Sequence, residues 1–100
     1  MIPIEKVQDI IAKHDNLEKE LSTGKIDTKL FAKKSKEYSN LRSIISYARE
    51  FIKFKSESKD LEQLIQDKSS DPEMIEMAEK DLVDLKVKKE INENKLKVFL

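Results

Sequence analysis

Histidine, cysteine, serine and paired carboxylates supply most protein catalysis and metal binding, and in this chain they are sparse or poorly placed. His14 is the only histidine, and there is no cysteine. A Cys–His nucleophile pair, a thiolate-bound zinc and a disulfide framework are therefore excluded. No serine lies within a Gly-flanked elbow, and Gly24, the only glycine, cannot build a phosphate-cradling loop alone. Glu76 with Glu79, and Glu90 with Glu93, stand three residues apart, so a helix would place each pair on one face. Such a pair can hold a cation, but an ordinary solvated helix face has the same composition. The expectation is no catalytic residue, no metal ligand and no cofactor.

The positive signal is basic. Lys33, Lys34, Lys36, Arg42, Arg49, Lys53, Lys55 and Lys59 fall in one stretch; residues 25–59 hold ten basic and four acidic side chains, a local sum of +6. Residues 1–24 sum to −2 and residues 60–100 to −4, which brings the chain to zero. Side chains of this kind neutralise phosphates and release their counterions, giving sequence-blind, salt-sensitive association. Lys33, Lys34, Lys36, Arg42, Arg49 and Lys53 are the candidate contacts with RNA, set against the plainer reading of a solvated face balanced by nearby acids. Tyr38, Tyr47, Phe51 and Phe54 could stack bases, but their spacing suits packing against neighbouring helices. His14 lies between Ile10 and Leu17 in an apolar stripe, the position of a half-buried seam residue.

The elements that position these side chains follow from composition and periodicity. With one Gly and two Pro in 100 residues there is too little turn material for a sheet fold, and 38% hydrophobic against 40% charged residues leaves only a thin core. The class expected is all-α: an elongated three-helix arrangement with coiled-coil-like packing, one short and two long helices, at about 3–21, 28–67 and 72–99. Ile4, Val7, Ile10, Ile11, His14, Leu17 and Leu21 form the stripe of the first helix, and Gly24 supplies the left-handed residue that ends it. Asp27 or Thr28 caps the second, in which Phe31, Tyr38, Ile45 and Ile52 recur every seven residues with Leu41 and Ala48 between them. Its weakest point is expected at Lys55 to Asp60. Asp71 followed by Pro72 opens the third, where Ile75, Ala78, Leu82, Leu85, Lys89, Asn92, Leu96 and Phe99 take the heptad core positions. Met77, Ile91 and Val98 widen that stripe beyond a two-helix seam. No signal segment and no apolar run long enough to span a membrane is present, consistent with a cytoplasmic location.

Residues Ser70-Asp-Pro-Glu-Met-Ile-Glu-Met-Ala-Glu-Lys-Asp-Leu82 resemble the opening of the last helix in the N-terminal domain of bacterial class I peptide chain release factors. Lys36-Glu-Tyr-Ser-Asn-Leu41 resembles the matching piece of their long second helix, and the order of elements agrees along the whole chain. The Asp71-Pro-Glu-Met74 form is closer to the type-1 branch, which answers UAA and UAG. The resemblance implies translation termination on the ribosome, in which later domains read the stop codon and a Gly-Gly-Gln loop directs hydrolysis of peptidyl-tRNA. Neither motif occurs here, so the resemblance carries over no catalytic residue and implies the isolated first domain of a longer chain. Its implied partners are the factor-binding region of the large ribosomal subunit, the remaining domains of the same factor and the GTPase that recycles it. It implies neither a membrane nor a small-molecule substrate. The residues alone also admit a free-standing coiled-coil adaptor that binds a protein through the wide last stripe, and a general RNA-binding helix centred on Lys33 to Lys59.

Overall fold

The computed structural model describes residues 2–100 and contains four helices: α1 (Ile4–Thr23), α2 (Thr28–Arg42), α3 (Ile45–Gln66) and α4 (Pro72–Phe99), with no strand among the described residues. The all-α class is as expected; the count is corrected from three to four, because the long second helix is two helices. Three boundaries lie where local chemistry puts them. Gly24 ends α1 with φ +67°, a left-handed conformation that a Cβ would strain. The Asp27 carboxylate accepts from Lys29 N at 3.1 Å, and the Asp71 carboxylate from Glu73 N at 3.0 Å with Pro72 in the first turn of α4.

The break at Ser43 and Ile44 carries no Gly or Pro to announce it. Ile44 N donates to Leu41 O at 3.0 Å, a tighter step than the α-helical one, while Ser43 Oγ donates back to Asn40 O at 2.7 Å. Burial of Ile44 repays the interruption. It joins Leu41, Ala48 and Phe51, spaced three, four and three apart, in the core, and the supposed seam residue Phe31 is left half exposed. Lys55 to Asp60, expected to kink or fray, is uninterrupted helix.

α1 packs on both α2 and α3, and α3 packs on α4, so α1 and α3 are the shared elements. Ile2, Val7, Ile10, Leu17, Leu41, Ile44, Ala48, Phe51 and Leu96 make one core, with Val7, Ala48 and Leu96 fully buried. None of its members lies between residues 52 and 95. Beyond that core, α3 and α4 run on together as a two-helix arm, with Leu61, Leu64, Met74, Met77 and Ala78 lining an open groove near its end. The molecule accordingly measures 61 × 25 × 18 Å, with a radius of gyration of 18.4 Å, where a compact chain of this length would have about 13 Å.

Candidate nucleic-acid interface

The six basic candidates divide into two groups according to what their charges already hold. Lys34 donates to Glu20 of α1, Arg49 donates to Asp15 of α1 at 2.8 Å, and Lys53 stands 3.6 Å from Glu57 one turn along α3. Lys33, Lys36 and Arg42 are exposed, with no carboxylate oxygen within 4.0 Å among the described residues. α2 turns its Leu41 side, with Lys34 and Tyr38 beside it, toward the rest of the bundle. Lys33 and Lys36 fall on the opposite, solvent side.

Lys29, which the cluster reading omits, completes that face. Lys29, Lys33 and Lys36 are spaced four and three apart and all are exposed, forming a continuous basic stripe of two turns. The spacing was available as the signal; attention to charge density rather than period hides it. Arg42 sits a third to a half of a turn away from the members of the stripe at about 100° per residue. Lys55 and Lys59 are exposed on α3, separate from it. Counterion release at this stripe needs no induced geometry, because the three ammonium groups are solvated on a preformed helix.

Lys34 and Arg49 instead clamp α2 and α3 to α1. His14 is buried with its ring stacked on Tyr38, centroids 5.1 Å apart, and its Nδ1 donates to Asp15 Oδ1 at 2.9 Å. That hydrogen bond, reinforced by the Arg49 guanidinium, holds the Asp15 carboxyl below the usual range against the opposing effect of burial. Tyr38 donates its hydroxyl to Glu18 at 3.1 Å, which favours the protonated phenol and raises its pKa. His14, Asp15 and Glu18 of α1 thus hold Tyr38 of α2 and Arg49 of α3. The aromatic residues Tyr38 and Phe51 are engaged in packing, and neither is presented as a free stacking platform.

Two open grooves flank the α3–α4 seam. One, of about 390 Å³, sets Glu57, Asp60, Asp81, Asp84 and Lys88 around Leu61 and Leu85; the other, of about 380 Å³, lies among Tyr47, Glu50, Lys53, Phe54, Lys88, Ile91 and Asn92. No three His, Cys, Asp or Glu side chains among the described residues are grouped to hold a metal ion. No helix among the described residues is long and apolar enough to cross a membrane. Asn92, a heptad core position, is buried and donates Nδ2 to Tyr47 O at 2.9 Å, while its Oδ1 has no partner among the described residues.

Comparison with known proteins adds what the geometry does not contain. The PCRF domain matches residues 10–100. The chain is 53% identical over all 100 residues to peptide chain release factor 1 of Pelagibacter ubique, covering 28% of that protein. It is 30% identical over 99 residues to peptide chain release factor 1 of Rhizobium rhizogenes, covering 27% of it. Identity to peptide chain release factor 1 of Streptococcus pyogenes is 40% over 74 residues, which are 74% of this chain and 21% of the relative. The chain therefore spans under a third of the length of these relatives. No solved structure matches it.

Proposed function

Because the chain belongs to the peptide chain release factor family, as an N-terminal domain of the type-1 kind, we propose that it serves translation termination as a non-catalytic ribosome-docking arm. The observation that carries this reading is whole-chain identity of 53% to a type-1 factor, and an exposed basic stripe on α2 supports it. In this reading Lys29, Lys33 and Lys36, with Arg42 to one side, approach ribosomal RNA near the factor-binding region of the large subunit. Stop-codon reading and hydrolysis of the peptidyl-tRNA ester belong to the rest of the longer chain. The elongated bundle suits an arm: its shape is set by a packed core before docking, so little conformational entropy is lost when it engages.

Lys34 and Arg49 keep their charges on Glu20 and Asp15 of α1 and act through the integrity of the bundle, whereas Lys53 pairs with Glu57 within α3. The recycling GTPase and a cytoplasmic location belong to the same proposal and follow from the family. The test is peptide release from programmed ribosomes halted at UAA, UAG or UGA. The full-length factor is expected to release at the first two and not the third, and the 100-residue domain to release at none. Release by the domain alone would overturn the reading.

A further inference from the structure

α4 is apolar on two sides, and only one of them is used. Ala78, Leu85, Asn92 and Leu96 are buried, whereas Val83, Val87, Ile91 and Val98 are 62%, 56%, 56% and 89% exposed. The exposed four are spaced four, four and seven apart. At about 100° per residue they form one stripe lying roughly 160° to 240° around the helix from Leu85. β-Branched side chains lose rotamer freedom in a helix, so four of them on an outward face do not serve helix formation. Lys or Glu there would make a better isolated helix.

We infer that this outward face of α4 is an intramolecular seat for the polypeptide that follows Leu100 in the full-length factor. The inference rests on the reading of this chain as the first domain of a longer protein, and names the surface through which the arm is held to the rest. Relatives of which this chain covers 28% or less have ample further chain to cover the stripe. A second copy is a poorer occupant: four aliphatic side chains fall well short of the roughly 1,200 Å² that a stable interface between separate molecules buries. A covalently joined segment needs no such area, since the link gives it an effective concentration of about a millimolar or more. Docked in this way, α4 transmits the orientation of the basic stripe on α2 to the remainder of the factor through the α3–α4 seam and the shared core.

The test uses the full-length factor stripped of other cysteines, with single cysteines at Val87→Cys, Ile91→Cys and, as an exposed reference on α2, Lys36→Cys. Maleimide labelling at positions 87 and 91 is expected to be at least tenfold slower than at 36, independent of protein concentration. Adding Val83→Asp should raise the rate at position 91 to the reference value while the helical circular-dichroism signal is unchanged. Equal rates at 87, 91 and 36 would overturn the inference, as would protection that appears only at high concentration, which marks a second copy. Stop-codon-dependent release measured on the unmodified factor is a separate readout, so rapid labelling with intact release discards the seat and keeps the proposed function.

Discussion

Replacing Lys29, Lys33 and Lys36 together by Ala in the full-length factor should flatten the salt dependence of ribosome binding by a calculable amount. All three ammonium groups are exposed, and for Lys33 and Lys36 no carboxylate lies within 4.0 Å among the described residues. Each can therefore neutralise one phosphate. Three contacts contribute a slope of about −2.1 to −2.7 in a plot of log K against log salt, taking about 0.7 to 0.9 per phosphate for single- and double-stranded nucleic acid. Between 50 and 200 mM salt, a fourfold change, the wild type should lose roughly 20- to 40-fold more affinity than the triple variant. The measurement is ribosome association by the fluorescence of a labelled factor at four or five salt concentrations. Contacts made by the rest of the factor add the same background slope to both proteins and cancel in the difference.

The matched control is Lys34→Ala with Arg49→Ala. Those cations are already held by Glu20 and Asp15, so their loss should leave the salt slope unchanged. It should instead weaken the bundle by about 0.2 to 1 kcal/mol per half-exposed pair, seen as a melting temperature lower by a few degrees. An unchanged slope in the triple variant, or an equal drop in the control, would refute the division of basic residues into docking and clamping groups.

Three further outcomes are expected. Asn92→Leu should raise the stability of the domain by about 0.5 to 2 kcal/mol in a urea titration, because it removes a buried Oδ1 that has no partner and forfeits only one hydrogen bond to Tyr47 O. Gly24→Ala should lower stability by about 1 to 2 kcal/mol: the space for a Cβ is open, so the whole cost is the left-handed backbone at φ +67°. Tyr38→Phe should flatten the alkaline limb of the stability profile. The raised Tyr38 pKa contributes stability that is present below about pH 10 and lost as pH rises through the folded value, whereas the lowered Asp15 pKa contributes stability present above about pH 4 and lost as pH falls through its folded value, which the variant retains.

What was legible in the sequence was whatever is decided locally. Gly24, Asp27 and the Asp71-Pro72 pair announce helix ends because their chemistry acts within one turn, and the structure places ends there. The α1 stripe was legible for the same reason, with Val7, Ile10, His14 and Leu17 buried at steps of three and four. The break at Ser43–Ile44 was not, because no residue there forbids a helix; the interruption is stabilised by Ile44 entering a core built with α1, a partner invisible in the local pattern. The same non-local cause split the candidate site. Lys34 and Lys33 are adjacent and identical in type; the helical period puts Lys34 on the Leu41 and Tyr38 side and Lys33 on the solvent side, and it is Glu20 on α1, which the local pattern does not reveal, that makes Lys34 a clamp.

The core ends at Phe51 on α3 and resumes only at Leu96 on α4, so the distal half of the molecule hangs on a single α3–α4 seam. A two-helix seam is soft to bending but, when its heptad register is specified, resists sliding. Asn92 is expected to supply that specification: sliding the seam would carry its Nδ2 away from Tyr47 O, and the unpartnered Oδ1 is the local stability cost. The Asn92→Leu variant is thus expected to be more stable and less well defined, with α3–α4 cross-links at unmatched positions forming faster than in the wild type. If the variant gains stability and keeps a single register, shape complementarity of Ala78, Leu85 and Leu96 alone sets the seam, and the asparagine has no positioning role.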